Sequence, residues 1–179
     1  MSLSPSVPVL RRALGDDLKA LQDLARRTID ASYRWFLGDE GVDRFLDSGA
    51  SDDHIETHFR QGHVRCMEVD GDLVGLLILE GPTVDLMMID VRRHRQGWGR
   101  ILLAHAEETL FTQYDELRLE SFAGNLTANA FYEACGWQET GSLESKGPAK
   151  IEFVRHRVVI EGLRPATRGG SPEVPRYGA

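Results

Sequence analysis

The sequence has few cysteines, no long apolar run and no excess of positive charge. Among its 179 residues, Cys66 and Cys135 are the two cysteines. They form neither a C-x-x-C motif nor a zinc-ligand pattern, so we expect both to be reduced and buried, and we expect no metal. The net charge of −7 disfavours a nucleic-acid surface. Because no apolar run reaches membrane-spanning length and the first residues do not resemble a signal peptide, we expect a cytoplasmic protein with no membrane contact.

Two common nucleotide-binding fingerprints are also absent, although residues 91–100 form a glycine-bearing loop. A G-x-G-x-x-G fingerprint needs a small residue three places after Gly99, where Leu102 stands, and a P-loop needs a lysine that the loop lacks. Gly97 and Gly99 still allow backbone N–H groups to approach an anion at the start of a helix. Four arginines add positive charge: Arg92, Arg93, Arg95 and Arg100. Taken alone, such a loop is more often an ordinary turn.

Hydrophobic periodicity predicts a mixed sheet with helices on its faces, in the order β-α-(α)-β-β-β-α-β-α-β-β. The predicted strands are 7–13, 63–69, 73–80, 84–91, 117–122, 137–142 and 151–159. The predicted helices are 16–31, 97–111 and 125–134, with a solvated helical face in the acidic stretch 39–56. We expect residues 1–163 to form one domain. Residues 164–179 are rich in Pro, Gly, Ser and Arg, which is typical of a flexible or partner-packed tail.

A second segment, residues 125–137, adds a motif in which the main positions are Asn125, Ala128, Phe131, Tyr132, Glu133, Gly136 and Trp137. Together with the loop His94-Arg95-Gln96-Gly97-Trp98-Gly99, it resembles the GCN5-related N-acetyltransferase (GNAT) superfamily over about residues 7–159. His94 departs from the Arg or Gln that the family usually has at this position. The resemblance implies an α/β (α+β) fold with a central mixed, mostly antiparallel sheet of six to seven strands. Helices flank this sheet, and it is splayed at the acetyl-CoA site.

The resemblance also implies acetyl transfer from acetyl-CoA to an amine of a small molecule, peptide or protein, by direct attack in a ternary complex. The strand before the loop would carry a bulge, and the pantetheine arm would lie against main-chain groups of Ile89, Asp90 and Val91. Asn125 would reach the pantetheine or the neighbouring strand. The cofactor site would also comprise His94, Arg95, Gln96, Gly97, Trp98, Gly99 and Arg100, with the pyrophosphate on the backbone amides of residues 95–100. The alternative is an acyl-CoA-binding regulatory or interaction domain without turnover.

Direct transfer needs a base for the acceptor amine and a proton donor for the leaving thiolate. On the motif, Tyr132 is the expected donor and contributes to the cofactor site. Asp85, on the strand before the loop, is the candidate base. Other candidates for the base are His54, Glu56, His58 and Glu120. Cys135 as an acyl-accepting nucleophile is disfavoured because no paired histidine is identifiable.

The acceptor is less constrained by the sequence. Tyr33, Trp35 and Phe36 stand beside an acidic stretch, which indicates an aromatic, acidic wall suited to a cationic amine. An exposed late strand or the C-terminal tail could also join a second copy of the chain, so a homodimer is possible.

Overall fold

The computed structural model describes residues 7–158, which form seven strands and five α-helices. The strands are β1 Val9–Arg12, β2 Val64–Val69, β3 Asp72–Glu80, β4 Thr83–Ile89, β5 Glu116–Phe122, β6 Gln138–Leu143 and β7 Lys150–His156. The helices are α1 Asp17–Leu37, α2 Asp39–Asp47, α3 Ala50–Gln61, α4 Trp98–Leu110 and α5 Leu126–Ala134. The predicted tail and Val159 lie outside the described residues. Within 7–158, no helix has both the length and the apolar content needed to cross a bilayer.

The strands form one seven-stranded sheet in the order β1-β2-β3-β4-β5-β7-β6. All neighbours are antiparallel except β4 and β5, which confirms the predicted mixed, mostly antiparallel sheet. The parallel contact is short, because only Thr83 and Val84 pair with Arg118 and Leu119. Beyond that point β4 and β5 diverge. The sheet therefore opens into a gap beside the second half of β4, as the predicted splay requires.

Helices cover both faces of the sheet and create two apolar cores. One core lies between the sheet and α4 with α5, and it includes Leu102 of α4 and Tyr132 of α5. The other lies between the sheet and α1 to α3, and it includes Leu21 of α1 and Ile55 of α3. Strand β3 is buried over most of its length, as expected of a central strand covered on both faces.

The register between β3 and β4 contains a bulge at Asp85. Ile78 pairs with Leu86 and Leu79 pairs with Val84, so Asp85 is the extra residue on β4. Val84 packs in the core under α4 and α5, whereas Leu86 packs against the core under α1 to α3. The bulge therefore lies at the start of β4, and the strand resumes regular alternation before the loop.

Two sequence predictions need correction in the first half of the chain. Helix α1 continues to Leu37 and not to about residue 31, so the aromatic residues after the predicted end are helical. The apolar spacing explains this, because Tyr33 and Phe36 extend the face that Ile29 begins. The acidic stretch forms two helices, α2 and α3, where a single helical face was predicted. Two glycines with positive φ angles divide these helices: Gly38 separates α1 from α2, and Gly49 separates α2 from α3.

The Asp-Gly pair at positions 70 and 71 predicts a hairpin between the strands 63–69 and 73–80, and the structure confirms it, since β2 and β3 pair antiparallel. Asp70 and Gly71 both have positive φ angles, 53° and 87°, as a type I′ turn requires. A glycine after the last apolar residue of a helix also predicts that Gly136 ends α5 in a left-handed conformation, and Gly136 has a φ of 87°.

Candidate active site

Two adjoining cavities lie at the gap between β4 and β5. The first, the His54 cavity, measures about 530 Å³ and is lined by residues of α1, α3, β4 and β5. The second, the loop cavity, measures about 950 Å³ and opens at residues 93–100. Both are lined by Tyr33, Met87, Met88, Asn125, Ala128 and Tyr132. Because the cavities share these walls, a molecule bound in one can contact a molecule bound in the other.

The loop cavity contains the predicted anion-binding loop. Arg95 and Gly97 have positive φ angles of 64° and 88°, and Gly97 is the residue before α4. No side chain caps the first turn of this helix, so the N–H groups of Trp98 and Gly99 are available at its positive end. Gln96 accepts a hydrogen bond from the indole N–H of Trp98 at 3.1 Å and thereby fixes one wall of the loop.

The four arginines of the loop do not share one role. Arg92 pairs with Asp90 at 2.6 Å and Arg93 pairs with Asp72 at 2.7 Å. Arg95 and Arg100 line the loop cavity, and within residues 7–158 neither forms an ion pair. The positive charge available to a bound anion therefore comes mainly from Arg95 and Arg100.

The end of β4 presents main-chain groups to the gap. The amide of Asp90 donates to the Val74 carbonyl of β3 at 2.9 Å. Because hydrogen-bonding directions alternate along an antiparallel strand, the main-chain groups of Met87 and Ile89 point the other way, toward the gap. The sequence predicted Ile89 here but did not predict Met87, whose direction depends on the register.

The other predicted main-chain contacts are used inside the protein. Thr28 of α1 accepts from the amide of Val91 at 3.2 Å and donates to the Ile89 carbonyl at 3.3 Å. The same carbonyl lies 2.8 Å from Nε2 of His94. Of the three residues predicted for the pantetheine arm, Asp90 and Val91 thus have their amides engaged, and the N–H of Ile89 faces the gap.

Asp90 instead has a structural role through its side chain. It is 1% exposed and pairs with Arg27 of α1 at 2.8 Å as well as with Arg92. Burial raises the pKa of the carboxyl, but the hydrogen bonds from Arg92 and Arg27 outweigh it and hold the pKa well below its usual range. Asp90 therefore stays ionised and ties α1 to the end of β4.

Tyr132 lies where the two cavities meet. Its ring packs against Phe131 and Phe153 with centroid distances of 5.5 and 5.7 Å. Burial raises the pKa of its hydroxyl far above the ordinary value for tyrosine. The phenol is therefore protonated at neutral pH and can act as a hydrogen-bond or proton donor.

Asp85 lies in the His54 cavity and contacts two histidines of α3. Its Oδ2 is 2.6 Å from Nε2 of His54 and 3.9 Å from Nε2 of His58. The hydrogen bond between Asp85 and His54 lowers the pKa of Asp85 and raises the pKa of His54. His54 lines the cavity beside Asp85. The structure thus brings the candidate base Asp85 together with two of its rivals from the sequence.

The remaining rivals, Glu120 and Glu56, form no hydrogen bond or ion pair with Asp85 or His54. Glu120 lines the His54 cavity and pairs with Lys150 at 2.9 Å. Glu56 is outside both cavities and pairs with Arg60 on the surface of α3. Cys135 follows α5, and burial raises the pKa of its thiol, which reduces its nucleophilic thiolate fraction. Cys135 is partly exposed, whereas Cys66 is buried as expected.

The three aromatic residues predicted for the acceptor separate on α1. Tyr33 lines both cavities and packs edge-on against Phe122 at 5.7 Å. Trp35 is 56% exposed and lines only the loop cavity. Phe36 lines neither cavity and packs against the rings of Tyr33 and Phe122 in tilted arrangements. Tyr33 is therefore the one of the three that reaches the His54 cavity.

Asn125 and Asn129 organise the start of α5. The Asn125 side chain caps the helix by accepting from the amide of Ala128 at 3.4 Å, and it lines both cavities. The buried Asn129 donates to the carbonyls of Phe122 and Ala123, each at 3.2 Å. Asn129 fixes the end of β5 beside the gap. Asn129 was not among the predicted site residues, although an asparagine on the apolar side of a short helix is a usable signal.

Comparison with known proteins agrees with the geometry. A search of curated proteins finds no match. Among solved structures, the chain is similar to the PaiA N-acetyltransferase of Thermoplasma acidophilum in complex with coenzyme A. The TM-score is 0.70 at 16% identity, and the match covers 84% of this chain and 99% of that one. It is also similar to a GCN5-related N-acetyltransferase of Rhodopseudomonas palustris, with a TM-score of 0.72, 15% identity and coverage of 88% and 100%.

A third similar structure is the ribosomal-protein-alanine N-acetyltransferase of Brucella melitensis, with a TM-score of 0.61, 20% identity and coverage of 83% and 99%. At these identities the neighbours show the fold. The family follows from the sequence itself, because the model of the acetyltransferase (GNAT) domain matches residues 36–158, more than half of the chain. The chain therefore belongs to the GNAT acetyltransferase family.

Proposed function

We propose that the chain transfers the acetyl group of acetyl-CoA to a primary amine by direct attack in a ternary complex. The observation that carries this proposal is the meeting of the two cavities at Tyr33, Met87 and Tyr132. A donor held by the loop and an acceptor held beside His54 would meet at that point. Coenzyme A in the PaiA structure supports the choice of donor.

The loop cavity fits the chemistry of coenzyme A. The N–H groups of Trp98 and Gly99, with Arg95 and Arg100, would hold the pyrophosphate at the start of α4. The pantetheine arm carries amides, which can hydrogen-bond to an unpaired strand. The main-chain groups of Met87 and the N–H of Ile89 provide such an edge.

The His54 cavity would receive the amine and remove its proton. A primary amine is protonated at neutral pH and attacks only after it loses a proton. We assign the proton acceptor to His54 and a positioning role to Asp85, because the carboxylate holds one imidazole nitrogen at 2.6 Å. With Nε2–H donating to Asp85, Nδ1 is the basic atom. This assignment replaces Asp85 as the candidate base.

After proton loss, the amine nitrogen attacks the thioester carbonyl, and the tetrahedral intermediate collapses with cleavage of the carbon–sulfur bond. A backbone N–H of β4 that faces the gap, that of Met87 or Ile89, would stabilise the oxyanion, and the remaining groups of the strand would hold the pantetheine arm. Tyr132 would stabilise the departing thiolate by donating a hydrogen bond from its hydroxyl. Because burial raises the pKa of that hydroxyl, the phenol keeps its proton and remains a donor while the negative charge develops on sulfur.

A cationic acceptor fits the walls of the His54 cavity. Asp85 and Glu120 provide acidic groups, while Tyr33 and Phe122 provide aromatic faces, and ammonium groups interact favourably with both. Since Lys150 pairs with Glu120, the negative charge is concentrated on the side of Asp85. We therefore expect the amine to enter with its positive group toward Asp85 and His54.

The test is a screen of small amines, polyamines, amino sugars and lysine peptides with mass detection of acetylated products. On a confirmed substrate, Tyr132→Phe should lower kcat on the order of 10²-fold, because it removes a proton donor. Tyr114→Phe is the matched control, since Tyr114 packs on the same core outside both cavities and should stay within about twofold of wild type.

If Tyr132→Phe also stays within twofold, Tyr132 is not the donor. The variants His54→Gln and Asp85→Asn are measured in the same assay, and each should lower kcat on the order of 10²-fold. His105→Gln is their control and should keep the wild-type kcat. If acetyl-CoA binds in calorimetry but no amine in the screen is acetylated, the non-catalytic acyl-CoA-binding alternative is favoured instead.

A further inference from the structure

The contact between α3 and the bulge of β4 gathers three metal-ligating side chains. His54 and His58 are one helical turn apart on α3 and therefore share a face; their ring centroids are 4.6 Å apart. Asp85 faces them from β4. One ligand atom from each of the three residues lies within 4.8 Å of the others, a spacing that small side-chain rotations can reduce to that of a metal's inner shell.

We propose that His54, His58 and Asp85 form a binding site for a divalent transition-metal ion, with Zn²⁺ as the ion to test. Two imidazole nitrogens and one carboxylate oxygen are a donor set that suits zinc and its first-row neighbours. Because His54 and Asp85 also line the His54 cavity, the fourth coordination position would face the cavity and could hold water or a ligand.

The surroundings of His58 support this site. His58 is 7% exposed, and its Nδ1 lies 3.4 Å from Nδ1 of His63. This contact leaves Nε2 directed toward Asp85. A partner on the second ring nitrogen is the usual arrangement around a metal-bound histidine, because it fixes the ring and the tautomer.

A rival set shares one ligand with the proposed site. Within the described residues, His58, His63 and Glu80 also place ligand atoms within 4.8 Å of one another. Glu80 is exposed at the end of β3, whereas Asp85 is half-buried in the bulge. The set with Asp85 is favoured because its carboxylate already lies against the histidines and has less water to displace.

Cysteine spacing alone predicts no metal, but a pair of histidines is a separate signal for one. The signal in the sequence was the pair His54 and His58, four residues apart on a helix. The histidine pair does not predict the third ligand, since Asp85 is 31 residues from His54 in the chain. Asp85 faces α3 from the bulge of β4.

One consequence rests on the proposed function. A metal bound through Nε2 of His54 and the carboxylate of Asp85 would leave the ring proton on Nδ1, so the atom assigned to proton removal would no longer be basic. Acetyl transfer should therefore be inhibited when the site is filled. Binding itself does not depend on this consequence and is measured separately.

The binding experiment uses the full chain, freed of metal with a chelator, and titrates ZnCl2 by calorimetry. We expect one Zn²⁺ per chain, and visible absorption bands of tetrahedral cobalt when Co²⁺ replaces it. His54→Gln and His58→Gln should each weaken binding by more than the roughly 10- to 100-fold that outer-shell changes cost. His105→Gln, on the opposite face of the sheet, should leave it unchanged.

Several outcomes would overturn the site. They are no binding by the wild type, unchanged binding in His54→Gln, or loss of binding in Glu80→Gln with retention in Asp85→Asn, which would place the ion at the rival set. Because His58 is buried, circular dichroism checks that His58→Gln folds. If His58→Gln does not fold, His54→Gln decides the test, because His54 is more exposed.

The acetylation assay gives a result that does not depend on the calorimetric measurement of metal binding. In the acetylation assay, Zn²⁺ should inhibit the wild type, while His58→Gln should retain transfer and lose the inhibition. If calorimetry shows Zn²⁺ bound through His54 and Asp85 but transfer continues, the metal site stands and the assignment of His54 as proton acceptor fails.

Discussion

Replacement of Gly97 by alanine tests how the loop conformation contributes to cofactor binding. Gly97 precedes α4 with a φ of +88°, and a Cβ added there would meet no atom within 4 Å. Any effect of Gly97→Ala must therefore come from backbone strain and not from a clash. A left-handed conformation costs a non-glycine residue about 1–2 kcal/mol.

This strain can lower either the stability of the free protein or its affinity for coenzyme A, and the two quantities can be measured separately. If the variant keeps the left-handed turn, the free energy of unfolding falls by about 1–2 kcal/mol and cofactor affinity is unchanged. If the free loop relaxes to a different conformation, stability is preserved and binding must restore the turn. Affinity for coenzyme A then falls by roughly 5- to 30-fold. We expect the sum of the two losses to be about 1–2 kcal/mol.

The assay combines calorimetry with coenzyme A and urea unfolding of the free protein. Gly99→Ala is the matched control, because a Cβ at Gly99 would lie 3.5 Å from the Phe131 ring, an ordinary van der Waals contact, and its φ is outside the left-handed range. It should change either quantity by less than about 0.5 kcal/mol. If Gly97→Ala changes neither affinity nor stability, or if Gly99→Ala is the more harmful change, the strained-turn account of the loop is wrong.

Three further predictions concern the support of the site. Asp90→Asn should lower the free energy of unfolding by about 1–3 kcal/mol in urea denaturation at neutral pH. Because the folded-state pKa of Asp90 is depressed, its contribution is present above the ordinary carboxyl pKa and is lost as the pH falls through the folded value. The difference between wild type and variant should therefore shrink in acid, and a constant difference would refute this. Asn129→Ala should cost about 1–3 kcal/mol, more than the roughly 1 kcal/mol of the half-buried cap Asn125→Ala; equal losses would contradict the role of the more deeply buried Asn129. Gly75→Ala should cost about 1–3 kcal/mol by overpacking, since an added Cβ would lie 3.0 Å from a neighbouring Cβ, and unchanged thermal unfolding would refute it.

Much of the fold follows from local signals. The type I′ turn at Asp70 and Gly71, the apolar run of β4 and the glycine after α5 each depend on a few adjacent residues, and the structure agrees with all three. The end of α1 was missed even though its signal is local. Tyr33 and Phe36 continue the apolar face of the helix, but an aromatic run beside acidic residues also resembles a loop.

In the candidate site, too, some residues belong to local motifs and others depend on contacts between distant segments. The residues of the loop and Tyr132 belong to contiguous motifs, so the sequence could indicate them. The pairing of Asp85 with His54 depends on how α3 packs across β4, and no local pattern encodes it. The outward direction of Met87 likewise depends on the register between β3 and β4, which is a property of two strands.

The bulge at Asp85 explains why these nonlocal features occur together. Side chains alternate along a strand, so Val84 and Leu86 would face the same side of a regular β4. The extra residue lets Val84 pack under α4 and α5 while Leu86 packs under α1 to α3. It also leaves Asp85 against α3, within 2.6 Å of His54. Because alternation resumes after the bulge, Met87 and Ile89 direct their main-chain groups into the gap. One inserted residue thus sets both the side-chain partners of the His54 cavity and the main-chain edge of the loop cavity.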